Sequence, residues 1–244
     1  MTALSLNLNK LALLRNSRGR NYPDLLSFAE RFIALGVDGL TIHPRPDQRH
    51  IRRDDVYALA EFLQNYPHIE YNIEGYPSGD FLSLIREVKP TQCTLVPDAE
   101  AQLTSDHGWD CRAQAPLLRE VVADIKAHGV RCAVFLDPDP EQAPQAAALG
   151  ADRIELYTEA YAAAHGTPRQ AAVLADYVAA AARARECGLG VNAGHDLSLA
   201  NLGDFLAIGG ILEVSIGHAL TVECIELGMN TVIPRYLALC HGAP

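Results

Sequence analysis

The chain has 244 residues, 49% hydrophobic and 20% charged, with a net charge of −10 and a pI near 5.3. Half-apolar composition at this length supports a sizeable core and excludes a disordered chain, while 18 Gly and 14 Pro exclude a collagenous or low-complexity one. The acidic balance excludes a broad nucleic-acid or anionic-membrane surface, but not a pocket for a small anion, which needs only a few local cations.

Those cations are uneven: of 17 Arg, 8 fall within the first 53 residues. The six cysteines are scattered, with neither a C-x-x-C pair nor zinc spacing. MTALSLNLNK has no apolar signal core, and no apolar run approaches the roughly 18–20 residues of a membrane span. The expectation is a reduced, cytoplasmic protein without membrane contact.

In chain order, a helical pattern ends near a glycine and a short β-rich run follows, as in ERFIALGVDGLTIH, ADIKAHGVRCAVFLD and FLAIGGILEVSIGH. Glycine suits the left-handed cap that stops a helix before a strand. The short apolar runs read as strands buried on both faces, as in a parallel sheet. Strands are expected at 4–9, 38–43, 69–74, 92–96, 131–136, 152–157, 189–193 and 211–216. Helices are expected at 23–35, 53–65, 79–88, 115–128, 140–149, 168–187 and 199–208, with a helical tail at 219–240. Asp24, Ser78 and the prolines Pro140 and Pro168 sit where helix starts favour them.

Eight strands alternating with helices match a (β/α)₈ TIM barrel. A doubly wound open sheet wants a glycine-rich nucleotide loop after its first strand, and NLNKLALLRNSRG has none. No linker breaks the composition, so residues 1–244 read as a single TIM-barrel domain. Residues 97–114 form a long polar loop after the fourth strand, a length usually tied to function.

Barrel chemistry sits at the C-terminal strand ends. Here they carry Asn7, Asn9 and Lys10; His43 with Arg45; Glu74; Asp98; Asp137; Glu155; His195 in NAGHD; and Gly217 with His218. Ordinary turns favour Gly, Asn, Asp and Ser, so three histidines, a lysine and two glutamates point to a catalytic mouth. His43 beside Arg45 and His50 suits anion binding and proton transfer. Glu74, ending the apolar strand IEYNI, suits a general base with a raised pKa. Asp137 and Glu155 read instead as barrel ion-pair partners. SIGH at 215–218 opens a helix whose N–H groups suit a phosphate, and RPDQRHIRR at 45–53 suggests a second anion site. Lys10 suits a Schiff base or, preferably, a fixed cation. His43, Glu74 and His195 have no H-x-H or H-E-x-x-H spacing, so no metal is expected.

The segments LALLRNSRG, VDGLTIHPRPDQRHI, NIEG, KPTQCTLVPD, GLGVNAGHDL and SIGHAL, in this order, resemble the pyridoxine 5′-phosphate synthases of vitamin B6 biosynthesis, over about residues 5–235. The resemblance implies a barrel with extra helices, assembled as a homo-octamer, with no metal or organic cofactor. It implies condensation of 1-deoxy-D-xylulose 5-phosphate with 3-amino-2-oxopropyl phosphate, giving pyridoxine 5′-phosphate, phosphate and water. By the same resemblance His43 and Glu74 match proton acceptors and His195 the proton donor. Arg45, His50 and Thr104 match contacts to the deoxyxylulose phosphate. Asn7, Arg18, Asp196, Gly217 and His218 match contacts to the amino ketone.

Two departures stand out. The usual first-strand motif N-x-D-H is Asn7-Leu8-Asn9-Lys10 here, and the usual glycine after the donor histidine is Asp196. Asn9 and Lys10 therefore enter as candidate substrate-binding residues in altered form. Two alternatives stay open: another phosphosugar barrel enzyme with Lys10 as Schiff-base former, and a non-catalytic binder of a phosphorylated metabolite.

Overall fold

Alternating side chains build the sheet. In the computed structural model, which describes residues 1–98 and 105–242, eight parallel strands close into a barrel in chain order. They are β1 (Ala3–Asn7), β2 (Gly39–Ile42), β3 (Glu70–Gly75), β4 (Gln92–Leu95), β5 (Arg131–Leu136), β6 (Arg153–Tyr157), β7 (Gly190–Gly194) and β8 (Ile211–Ile216). Closure comes from β8 pairing with β1, in register from Ala3↔Glu213 to Leu6↔Ile216. Every strand lies where the sequence places one.

The helices are α1 (Asn9–Asn16), α2 (Leu25–Ala34), α3 (Arg53–Leu63), α4 (Gly79–Val88), α5 (Ala115–Ala127), α6 (Gln142–Ala148), α7 (Glu159–Ala164), α8 (Gln170–Glu186), α9 (Leu202–Leu206), α10 (His218–Leu227) and α11 (Met229–His241). Caps start two of them as expected: Asp24 accepts from Ser27 N–H (2.8 Å) and Ser78 from Phe81 N–H (3.2 Å).

Three elements differ from expectation. The first strand stops at Asn7, and Asn9-Lys10 open α1, which has no side-chain cap to announce it. The alanine-rich α7 is also uncapped and was not foreseen. The tail is two helices rather than one, because Gly228 turns left-handed (φ 82°) between α10 and α11.

One face of each strand carries the apolar core. Leu4, Leu6, Ile73, Val134, Leu156 and Val214 are buried within the hydrophobic cluster, each burial stabilising by about 1.5–3 kcal/mol. The alternate residues point into the barrel, since strand side chains have a period of two. That inner face is polar, not the layered aliphatic filling common in such barrels. Ser5 Oγ meets Thr41 Oγ1 (2.6 Å), Asn72 Nδ2 donates to Thr41 Oγ1 (3.4 Å) and Thr94 Oγ1 donates to Asn72 Oδ1 (3.0 Å). Asn192 Nδ2 donates to Gln92 Oε1 and Glu213 Oε2 (both 3.2 Å), and Arg153 Nη1 to Asn192 Oδ1 (3.0 Å). Partnering makes such burial tolerable. The strands are buried on both faces, as expected, and the inner face is largely polar.

Candidate active site

The strand ends converge on a cavity of about 500 Å³. Its walls include Asn7, Asn9, Lys10, His43, Arg45, His50, Glu74, His195, Asp196, Gly217 and His218. Of the remaining expected site residues, Arg18 is exposed in the turn after α1, outside this cavity, and Thr104 lies outside the described residues. A neighbouring cavity of about 540 Å³ shares His43, Arg45 and Asp98. Among the described residues no group of three or more His, Cys, Asp or Glu is placed to hold a metal ion.

Two asparagines tie β1 to its neighbours. Asn9 N–H donates to Asn7 Oδ1 (3.0 Å), and His43 N–H donates to Asn9 Oδ1 (2.9 Å), so Asn9 fixes the backbone that carries His43. Asn7 Nδ2 reaches Glu74 Oε2 at 3.5 Å. The two glutamates define the floor. Glu74 is reachable from the cavity yet surrounded by protein, and burial first, then the Glu155 charge, pushes its carboxyl well above the usual range.

Glu155 corrects the sequence reading. Neither it nor Asp137 makes an ion pair among the described residues. Glu155 lines the cavity, buried, accepting from Thr94 Oγ1 (3.3 Å), and burial followed by the Glu213 charge pushes it up to about 8. Gly194 permits this, because a Cβ there would stand 2.5 Å from Glu155 Oε1. The signal was present in the alternation R-I-E-L-Y, which puts Arg153, Glu155 and Tyr157 on one face.

Two buried carboxyls in the wall of one cavity resist joint ionisation, and the proton leaving either is felt by both. A general base must be ionised to act, so with Glu74 in that expected role activity rises with pH as its carboxyl loses the proton. Glu155→Gln removes the competing charge and lowers the Glu74 pKa. The acidic limb of the kcat profile is then expected to move to lower pH, whatever the maximum rate; a pH–rate profile checks this, and an unmoved limb refutes it.

The basic stretch at 45–53 divides. Arg45 is buried and pairs with Asp98 (2.7 Å), Arg49 pairs with Asp47 (2.5 Å), and both arginines line the cavity. Arg53 instead reaches toward Glu87 (3.6 Å) and lines the neighbouring cavity. Burial, then the charges of neighbouring groups, lowers His50 to about 4 and His43 to about 3, so both rings are neutral near pH 7. His50 Nδ1 accepts from Ile51 N–H (2.9 Å), which leaves the ring proton on Nε2 as a donor. An anion seated beside Arg45 and His50 would counter the cationic repulsion and raise the proton affinity of His43. In the same cavity α10 begins at His218 with Gly217 as its cap, so its N-terminus offers a second place for an anion, and Lys10 lies where its charge reaches both His50 and Asp196.

Residues 4–242 match the family described as pyridoxal phosphate biosynthesis protein PdxJ. The chain belongs to the PdxJ family. It is therefore a protein of vitamin B6 biosynthesis. A relative from Bacteroides thetaiotaomicron, named pyridoxine 5′-phosphate synthase, is 51% identical over 97% of this chain and 98% of its own length. Another of that name, from Xanthomonas oryzae pv. oryzae, is 49% identical over 99% of this chain and 98% of its own. Among solved structures, phosphoribosyl anthranilate isomerase from Thermus thermophilus superposes with a TM-score of 0.61 at 15% identity, covering 98% of this chain and 100% of that one. The tryptophan synthase A-subunit of Pyrococcus furiosus gives 0.65 at 14%, covering 97% of each. At such identities these two speak to the barrel alone. For a PdxJ member, the described helices include none long and apolar enough to cross a membrane.

Proposed function

We propose that this PdxJ-family chain is a pyridoxine 5′-phosphate synthase, closing the pyridine ring from 1-deoxy-D-xylulose 5-phosphate and 3-amino-2-oxopropyl phosphate. The observation that carries the reading beyond family membership is convergence. His43 from the end of β2, Glu74 from β3 and His195 from the end of β7 share one cavity with Lys10, Arg45 and Arg49. Two phosphorylated ketones need two anion sites. Arg45 and His50, with Thr104, serve the deoxyxylulose phosphate. Lys10, Gly217 and His218, with Asn7 and Arg18, serve the amino ketone, and Asp196, which the resemblance also puts there, lies against His195. The amine attacks a ketone carbonyl and water leaves; proton shuttling then drives loss of phosphate, and a second carbonyl addition closes the ring, which becomes aromatic with loss of a second water. His43 and Glu74 take protons and His195 returns them, which gives acid–base traffic in both directions.

Lys10 serves as a fixed cation in this reading. Its charge is among those that hold the Asp196 carboxyl low, after the hydrogen bond to His195. The reading also places the protein in the cytoplasm as a homo-octamer, in which the exposed Arg18 can serve a neighbouring copy.

Purified protein mixed with the two ketones is expected to release inorganic phosphate and form pyridine-ring absorbance in equal amounts. His195→Ala is expected to lower both by about 10²–10⁴-fold. Folded protein that binds either ketone yet yields neither product would refute the synthase reading. A borohydride-trapped adduct at Lys10 would replace it with the aldolase.

A further inference from the structure

The backbone leaving β7 is unusual. His195 (φ 90°) and Asp196 (φ 58°) are consecutive side-chain-bearing residues in the left-handed region. Such a conformation is costly for them and persists only where the surroundings enforce it. Here they do. Thr158 Oγ1 donates to the Gly194 carbonyl (2.8 Å) and also to that of His195, and Asn201 Nδ2 donates to the Asp196 carbonyl (3.1 Å).

The bend turns the Asp196 side chain back along its own neighbour. Asp196 Oδ2 lies 3.2 Å from His195 Nδ1, while the Tyr157 ring packs edge-on against the imidazole, with centroids 5.0 Å apart at 76°. We propose that Asp196 is a positioning residue: its carboxylate accepts the Nδ1–H of His195, fixes the tautomer and ring orientation, and holds the imidazolium that donates the proton through Nε2. The proposal rests on the reading of His195 as proton donor.

The logic is that of any carboxylate–histidine pair used in proton transfer. A histidine has two nitrogens, and the one engaged by a fixed acceptor determines which remains for chemistry. The surrounding charges agree with an ionised Asp196. Its hydrogen bond to His195 comes first in holding the carboxyl below the usual range; the charges of His195, of His218 on α10 and of Lys10 on α1 add to it. From β6, Tyr157 is pushed up to about 12, chiefly by burial, and stays neutral. Glu74, Glu155, His43, His50, Arg45, Arg49 and Asp98 are the other ionisable groups in the walls of the cavity. Lys10 thus balances a carboxylate that would otherwise oppose a phosphate at the same end.

Two substitutions separate charge from acceptor without straining the bend, since Asn and Gly both tolerate the left-handed region. Asp196→Asn removes the charge and offers Nδ1 either an amide oxygen or an amide N–H; Asp196→Gly removes every partner. Imidazole ¹⁵N spectra of histidine-labelled protein, with His195 assigned by its loss in His195→Gln, read the tautomer directly. Asp196→Asn is expected to give a mixture of the two tautomers, because its amide can accept from Nδ1–H or donate to Nδ1. Asp196→Gly is expected to lose the tautomer preference altogether. A ring that no longer holds its proton partner at Nδ1 presents Nε2 for donation less often, so kcat falls about tenfold in both variants, with KM for both ketones within about twofold.

An unchanged tautomer in both variants would overturn the proposal. So would a loss confined to KM for the amino ketone with kcat unmoved, which would make the carboxylate a substrate contact. If the wild-type protein forms no pyridine ring while the His195 signals respond as stated, the pairing stands and the proposed reaction fails.

Discussion

Glu74→Gln is expected to lower kcat by about a thousandfold, within the range for loss of a general base, while the thermal midpoint stays within a few degrees of the wild type. The two effects separate for a physical reason. Burial already pushes the Glu74 carboxyl toward its neutral form, and glutamine imitates that form in size and polarity. The contact from Asn7 Nδ2 at 3.5 Å has an oxygen to meet in either case. What glutamine lacks is a site for an abstracted proton. Steady-state release of phosphate and formation of the ring, beside a thermal melt, test this. Turnover within threefold of the wild type would remove Glu74 from the mechanism, and a collapse of the melt would mark it as structural.

The second large effect concerns stability. Arg45 and Asp98 form an ion pair with both side chains almost wholly buried, 4% and 3% exposed. The pair ties the loop after β4 to the loop after β2; Asp98 Oδ2 also accepts from Ser105 Oγ (2.9 Å) in its own loop, and Asp98 Oδ1 has no partner among the described residues. Breaking such a pair on one side strands a charge in a low-dielectric place and costs about 3–5 kcal/mol. Asp98→Ala is therefore expected to lower the melting midpoint by about 10 °C, at roughly 2–4 °C per kcal/mol for a chain of this size. Replacing both, as in Arg45→Met with Asp98→Ala, leaves no stranded charge and is expected to recover most of the loss. A double-mutant cycle by thermal or denaturant melts gives the coupling. Additive losses would show that the pair does not act as a unit.

Both predictions concern residues that the sequence had placed at strand ends. All eight strands were legible because each is a short run with flanking turn chemistry, and such patterns are local. The positions of His43, Glu74 and His195 followed from the same rule, since residues at the ends of parallel barrel strands face one mouth. α1 and α7 were not legible as helices. Asn9 was placed on a strand, whereas it opens α1 and spends its side-chain oxygen on the backbone of His43. Glu155 was assigned an ion pair, whereas it stands buried in the wall of the site.

Chain-local chemistry determined that this protein is an eight-stranded α/β barrel with ionisable groups gathered at its mouth. Hydrophobic period, helix-ending glycines and strand-end polarity act over a few residues, so they survive in one dimension. The polar inner ring was a matter for the closed barrel. Thr94 meets Glu155 across 61 residues of chain, and β8 must return to β1 before any inward-facing residue has its partners. The raised carboxyls of Glu74 and Glu155 arise in the same way, because desolvation and charge proximity are properties of a place in space and no residue carries them alone. Even the neighbours His195 and Asp196 needed the fold to become a pair, since Thr158 and Asn201, 37 and 5 residues away, hold the bend that brings Oδ2 to Nδ1.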